Sequence, residues 1–552
     1  MKTVTVVVAL LLAAAVLGAR NTVTAKKRLL VIGEEKGYRH ESVSHAMATI
    51  ERLGRDTGLW NTWIRTDTIA GEIMNLFLRI TAAACALLLP AQAAEPIRLH
   101  PKNPHYFLFR GKPTAIVTSA EHYGAVLNGT FDYRRYLAAL AAGGMNYTRM
   151  FGGSYHEVPS QSFGIKRNTL APETGQFLAP WAGSDKFDLN QWNPRYFERY
   201  RDFLSEAARR GIIVEVTLFS SHYQESHWKI SPLNPANNVN ATDAIDWKKL
   251  HTLENGNLLA HQERYVRKLV REANAFDNVI FEIQNEPWSD RPVVTSVVNF
   301  YLQAPTRDKY PNSIDVADPP SMAWQARVAE WISSEESKLP NKHLISQNWC
   351  NFGYPVGALA PAVGIVNFHY AYPSAALANY GLDKALVYDE TGFLGASDDV
   401  YRRQAWNFML SGGGGFNNLD YSFSVGHEDG SDTEPNGPGG GSFALRLQLR
   451  ILSQFLNGLP LADMAPDTRA VKHAGTYARV LSSPQGEYAV YFDGDGPVNV
   501  TFDLPPGDYS GEWIDTRTGS VVRREQLQRT TTISTPEFHD GIAFRMTREP
   551  RR

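Results

Sequence analysis

The sequence predicts an α/β fold: a (β/α)8 TIM barrel followed by a C-terminal antiparallel β-sandwich. Three observations carry that expectation. Eight short apolar runs alternate with amphipathic helical stretches between residues 95 and 460. The fourth and seventh runs are each followed, two residues on, by a glutamate. Past Leu459-Pro460 the chain changes to brief alternating runs separated by Gly, Asp and Pro turns, the pattern of a small sandwich.

The eight strand runs are Ala115–Ser119, Met145–Phe151, Ile212–Phe219, Val279–Gln284, His343–Gln347, Gly364–Phe368, Ala385–Tyr388 and Gly415–Leu419. The helices between them have local causes. Asp132 caps the stretch carrying Tyr136, Leu137 and Leu140, and Gly143-Gly144 ends it. Tyr196, Tyr200, Phe203, Leu204 and Ala207 share one helical face, which Gly211 stops, and His261 to Phe276 repeats the pattern. Further helices fit Met322–Leu339, Val400–Leu410 and Phe443–Leu456. Eight β units with helical crossovers favour a closed barrel over a doubly wound sheet. Ahead of them, His100-Pro101 to Pro113 reads as a hairpin turning at Arg110-Gly111-Lys112 and closing the barrel bottom. Beyond the barrel, residues 461–552 form the sandwich domain, with strand-like runs at Tyr488–Phe492, Val498–Phe502 and Gly511–Ile514.

The first 94 residues read differently. Lys2 and the apolar run Val4–Leu17 resemble a secretory signal, so residues 1–25 are expected to direct export. Residues 26–72 hold the run Arg28–Gly33, then Tyr38-Arg39-His40-Glu41 and a helical stretch. Over about forty residues this resembles the opening of a trehalose-utilisation-type domain related to class I glutamine amidotransferases. One such βα unit cannot bury its apolar face alone. Residues 73–94, from Met74 through the apolar run Ile80–Leu89 to Ala91-Gln92-Ala93-Ala94, form a second signal-like segment. The functional protein is therefore expected to begin after about Ala94, and to be secreted or periplasmic without a stable membrane anchor.

A net charge of −2 from 55 basic and 57 acidic residues gives no electrostatic footprint for nucleic acid. Only two cysteines occur, Cys85 and Cys350, which excludes a disulfide scaffold and a Cys-rich metal site. The chemistry is expected elsewhere. Val279-Ile280-Phe281-Glu282-Ile283-Gln284-Asn285-Glu286-Pro287 is a strand that Pro287 stops, leaving Asn285 and Glu286 at its C-terminal end. Leu386-Val387-Tyr388-Asp389-Glu390 ends the seventh strand in the same way. In a barrel those ends carry the chemistry, and a facing pair of carboxyl groups can hydrolyse a glycosidic bond.

Residues from about 97 to 460 resemble the cellulase-like clan A of retaining glycoside hydrolases. That clan places an Asn-Glu pair at the end of strand four and a Glu at the end of strand seven, here Asn285-Glu286 and Glu390. The resemblance implies that Glu286 is the acid/base, Glu390 the nucleophile, and Asn285 a partner of the sugar 2-OH. It also implies that Arg149 on strand two supports Glu390, and that His369 with Tyr370 (or Tyr372) serves from strand six. His122, in Glu121-His122-Tyr123, corresponds to the clan's substrate-binding histidine. Trp288 and Trp349 adjoin strand ends and suit stacking on sugar faces. The clan's strand-eight aromatic, often Trp, has no tryptophan counterpart here; Tyr421 and Asn418 are the candidates. Asp389 is expected on the opposite strand face from Glu390, as a packing carboxylate. Glu215 and Glu282 lie within strands and are not assigned catalysis. The acidic, Gly-rich loop Ser424–Ser442 lacks the EF-hand spacing and reads as a lid. The C-terminal module resembles one appended to such hydrolases and sometimes labelled collagen-binding.

The expected function is therefore cleavage of β-glycosidic bonds in an oligo- or polysaccharide by double displacement, with no metal and no cofactor. The rival is a non-catalytic carbohydrate-binding barrel.

Overall fold

Eight parallel strands build the barrel: β1 (Ile116–Ala120), β2 (Tyr147–Phe151), β3 (Ile213–Ser220), β4 (Val279–Asn285), β5 (Leu344–Asn351), β6 (Val363–His369), β7 (Ala385–Glu390) and β8 (Gly415–Leu419). In this computed structural model the described residues are 27–32, 41–57, 59–65, 95–159, 163–183, 185–296, 313–353, 355–434 and 437–550. They belong to two units, Met1–Ala93 and Ala94–Arg552. In the first, strands Lys27–Ile32 and Trp60–Arg65 pair in parallel across the helix Glu41–Thr57, so the fragment is a βαβ unit rather than a single βα unit. Both signal-like segments, 1–25 and 73–94, lie outside the described residues. Among the described residues no helix is long and apolar enough to cross a membrane.

The ladder of the second unit runs β1-β8-β7-β6-β5-β4-β3-β2, each pair parallel. Between β1 and β2 the backbone contributes only scattered bonds, Asn146 N–H to Val117 O at 3.4 Å and Phe151 N–H to Tyr123 O at 3.0 Å, and a side chain adds to them. Asn146 accepts from the Val117 N–H at 2.8 Å, and its Nδ2 donates to Ala115 O at 3.0 Å. The expected hairpin is a three-stranded sheet, Arg98–Leu99, Phe107–Phe109 and Lys112–Thr114. Its Phe107 and Phe109 join Ile116, Ile213, Ile280 and Ile365, from the first halves of β1, β3, β4 and β6, in one apolar cluster that plugs the bottom of the barrel. Chemistry is thereby confined to the other end.

The crossover helices bury the faces their periodicity indicates. Asp132 accepts from Arg134 and Arg135 N–H groups at the start of Tyr133–Ala142, and Tyr136, Leu137 and Leu140 face inward. Pro194–Arg209 starts with Asn193 as cap and Pro194 in its first turn, and buries Tyr196, Tyr200, Phe203 and Leu204. After β8, the helix Phe443–Asn457 carries a buried Arg446, paired with Asp420 at 2.5 Å. The loop expected as a lid is fastened down: Arg167 holds Asp432 through two bonds of 2.7 and 2.9 Å, and Arg135 holds Asp429 at 2.5 Å.

The C-terminal part is a β-sandwich. A sheet ordered Ala465–Pro466, Tyr477–Ser482, Glu487–Asp493, Ile542–Arg548, Tyr509–Asp515, Val521–Leu527 packs on one of Val471–His473, Asn499–Asp503 and Thr530–Ser534. Val490, Phe492, Phe502, Trp513 and Phe544 fill its interior. It docks on the barrel helix Asp398–Met409, where Trp406 stacks on Tyr491 with centroids 5.5 Å apart and Arg403 pairs with Asp493 at 2.7 Å.

Candidate active site

The C-terminal ends of the strands share an unusual backbone feature. Tyr123, Tyr223, Glu286, Phe352 and Tyr370, which follow β1, β3, β4, β5 and β6, all have left-handed φ angles, +61°, +61°, +46°, +68° and +47°. Such conformations are unfavourable for side chains larger than Gly and collect where a site dictates them. Four of the five line one cavity of about 470 Å³ at the barrel mouth: Tyr123, Tyr223, Glu286 and Tyr370. Glu390, Asn285 and His122 line it as well.

Glu286 and Glu390 face each other across this cavity. With His369 they form a triangle in which one oxygen of each carboxylate and one ring nitrogen lie within 4.8 Å of one another. Three donors converge on Glu390: Tyr123 Oη at 2.8 Å, Tyr370 Oη at 2.7 Å and Arg149 Nη1 at 3.3 Å. This set suits an anionic carboxylate. Tyr370 rather than Tyr372 therefore reaches the glutamate. Glu286 meets His369 Nδ1 at 2.9 Å, and its backbone N–H donates to Asn348 Oδ1 at 2.9 Å. Burial alone would lower the His369 pKa, but the charges of Glu390 and Asp389 outweigh it and hold the imidazole well above its ordinary value.

Arg149 is fully buried beneath the cavity floor. It contacts Glu282 at 2.6 Å, Glu390 at 3.3 Å, Asp389 at 3.4 Å and Glu215 at 3.8 Å, and donates to Asn285 Oδ1 at 2.9 Å. Asn285 then donates to Tyr223 Oη at 2.7 Å. Asp389 departs from the alternation expected of it. It points into the barrel, 3.4 Å from both Arg149 and His369. The cause is an irregularity of register: Phe368 pairs with Tyr388 but His369 with Glu390, so Asp389 is an extra residue on β7 and both carboxylates turn inward. Arg149 and His369 hold Asp389 below the usual carboxylate range against the opposing effect of burial.

The tryptophans expected against sugar lie elsewhere. Trp288 is 2% exposed, because the Glu286–Ser289 turn folds it back onto the edge of His369, at 5.6 Å between centroids. Trp349 alternates with the inward Asn348 on β5 and packs against the outer core instead. Tyr421 is buried in a cluster with Tyr123 and Phe151 that backs the cavity wall. The aromatic surfaces at the mouth are Phe163 and Phe393, 42% and 36% exposed, with Tyr223 and Tyr370 beside them. His122 is on the wall with its pKa lowered to about 3 by burial, so it is neutral.

Sequence reasoning missed Tyr123, Tyr223, Asn348 and Glu157. Glu157 lines the cavity from the long loop after β2, held by Asn168 and by Tyr155 Oη at 3.3 Å, with its pKa pushed up to about 8 by burial. For the two tyrosines a signal was available. His122-Tyr123, His222-Tyr223 and His369-Tyr370 repeat the same dipeptide at three strand ends, and each tyrosine enters the cavity.

No family model matches the chain, and no curated protein does. Solved structures do. A glycoside hydrolase from Bacteroides vulgatus ATCC 8482 aligns at 12% identity over 83% of this chain and 83% of its own, with a TM-score of 0.54. A family 5 glycoside hydrolase from the same organism gives 12% identity over 82% and 93%, with a TM-score of 0.55. A further glycoside hydrolase gives 11% over 83% and 98%, with a TM-score of 0.55. What the chain shares with these glycoside hydrolases, at such identity, is its fold.

Proposed function

We propose that the chain is a retaining glycoside hydrolase acting on β-linked oligo- or polysaccharides, with Glu286 as acid/base and Glu390 as nucleophile. The observation that carries this reading is the approach of the two carboxylates to within 4.8 Å across an open cavity. Double displacement needs carboxyl groups about 5–5.5 Å apart, whereas inversion needs about 6.5–9.5 Å to admit a water between them.

In the first step Glu286 delivers a proton to the leaving oxygen while Glu390 attacks the anomeric carbon. The glycosyl–Glu390 bond forms as the glycosidic bond breaks. In the second, Glu286 takes a proton from water, which displaces Glu390 and releases the sugar with its configuration retained. Tyr123, Tyr370 and Arg149 hold Glu390 in line. Asn285, gripped by Arg149 and Tyr223, presents its amide toward the sugar 2-OH. His369, kept charged by Glu390 and Asp389, stays protonated through both steps and orients Glu286 through its Nδ1 at 2.9 Å. Phe163 and Phe393 supply apolar faces for sugar rings at the mouth. The signal-like segments support action outside the cytoplasm.

The test is a screen of aryl β-glycosides and plant polysaccharides, with product configuration followed by NMR. Glu390→Ala is expected to lose at least about 10⁴-fold in kcat. Glu286→Gln should lose most on substrates with poor leaving groups, which need the proton. First-formed products of inverted configuration, or unchanged turnover in both variants, would sink the assignment. Saccharide binding with no turnover in the wild type would leave the non-catalytic barrel.

A further inference from the structure

Behind the cavity wall, the loops that follow β3 and β4 meet around polar groups that the proposed hydrolysis does not use. His222, His251 and Asp290 each offer one ligand atom, and these three atoms lie within 4.8 Å of one another. All three residues are buried, at 2%, 4% and 5% exposure. His251 Nδ1 stands 3.6 Å from Asp290 Oδ2. The Gln284 side-chain amide lies 3.2 Å from the same Nδ1, close enough to join the cluster.

His222 provides the second, independent observation. Among the described residues neither of its ring nitrogens has a hydrogen-bond partner, and neither does the nearby Gln284 Oε1. Buried polar atoms are almost always paired, and leaving one unpaired costs about 1–3 kcal/mol. His227 is nearby but already committed, its Nδ1 lying 2.9 Å from His222 O and 3.2 Å from Tyr155 Oη.

We propose that His222, His251 and Asp290 form a buried divalent-cation site of the zinc type, with Gln284 or a water as fourth ligand. Two imidazoles and a carboxylate are a donor set zinc favours, at about 2.0–2.2 Å each. Tetrahedral geometry puts such donors about 3.3 Å apart, so the His251–Asp290 edge is nearly formed. The His222 ring, tied by no hydrogen bond, is the one able to swing inward. The role would be positional. Asp290 also accepts the backbone N–H groups of His222 and Tyr223, at 2.9 and 3.0 Å. A cation on Asp290 therefore fixes the loop that sets Tyr223 against Asn285, and the metal takes no part in bond cleavage.

The test uses the full chain, freed of any histidine tag and stripped with chelator, with Zn²⁺ titrated against a chromophoric competitor. One equivalent per chain is expected, with an unfolding temperature that rises with free Zn²⁺. His222→Phe and His251→Gln should abolish that equivalent, while Glu286→Gln should keep it. Should the histidine variants fail to fold, zinc-edge X-ray absorption on the wild type decides. Two imidazole nitrogens with oxygen in the first shell are expected. Absence of stoichiometric binding, persistence in the folded histidine variants, loss with Glu286→Gln, or a shell without imidazole would overturn the proposal.

Discussion

Glu390 makes no ion pair isolated from its surroundings; it is the end of a chain of donors. Tyr123 and Tyr370 each give it a hydrogen bond shorter than 3 Å, and Arg149 gives a third. A hydrogen bond to a charged group is worth about 1.5–3 kcal/mol. Tyr123→Phe and Tyr370→Phe are therefore each expected to lower kcat about 10- to 100-fold. KM should change little if the bond matters mainly as Glu390 enters and leaves the covalent state. Steady-state kinetics on an aryl glycoside checks this, and loss confined to KM would contradict it. At this scale the sequence was readable where a residue type met a strand end, as at Asn285, Glu286, His369 and Glu390. It was not readable where register slips. Asp389 enters the barrel because of one extra residue on β7, which strict alternation has no means of revealing. Trp288 was misdirected by a four-residue turn, a feature of backbone geometry rather than composition.

Elements were the most legible level, since all eight strands and the principal helices follow from periodicity and caps. What periodicity does not provide is how the ends of the sheet meet. The β1–β2 seam relies on Asn146, whose amide adds to its scattered backbone bonds. Asn146→Ala removes two bonds and strands the Val117 N–H near the core, while the Ala115 carbonyl keeps Asn457 Nδ2 at 3.2 Å. It is expected to destabilise the fold by about 1–3 kcal/mol, read from the urea midpoint at unchanged slope. A neutral result would mean that backbone pairing alone closes the seam. The repeated His-Tyr dipeptide is also a property of elements, because three strands deliver the tyrosine of the pair to one cavity. One of the three, His222-Tyr223, uses its tyrosine in the cavity wall and turns its histidine toward Asp290.

Across the molecule, an apolar plug at one end of the barrel and a polar, aromatic cavity at the other divide stability from chemistry. Between them lies a layer of buried ionisable groups, Glu215, Glu282, Asp389 and Arg149, which joins the two. The sandwich adds to the barrel through Trp406 and Arg403 rather than standing apart. The residues from Ala94 onward form one unit by themselves. A chain beginning at Glu95 is thus expected to unfold within about 2 °C of the full-length protein, and to retain its kcat on any substrate found. Calorimetry and kinetics on the two proteins check this, and a large drop in either would assign residues 1–94 a part in the fold.

The left-handed residues around the mouth set activity and durability against each other. Glu286 holds a conformation that costs a non-glycine residue about 1–3 kcal/mol, and it holds it opposite a second carboxylate. Glu286→Gly removes both burdens. The variant is expected to lose catalysis yet, despite forfeiting the 2.9 Å contact with His369, to melt no lower than the wild type, an exchange that selection for function would refuse and selection for robustness would accept. Each strand end that turns the wrong way is in this sense a standing tension, sustained only for as long as the reaction is worth keeping.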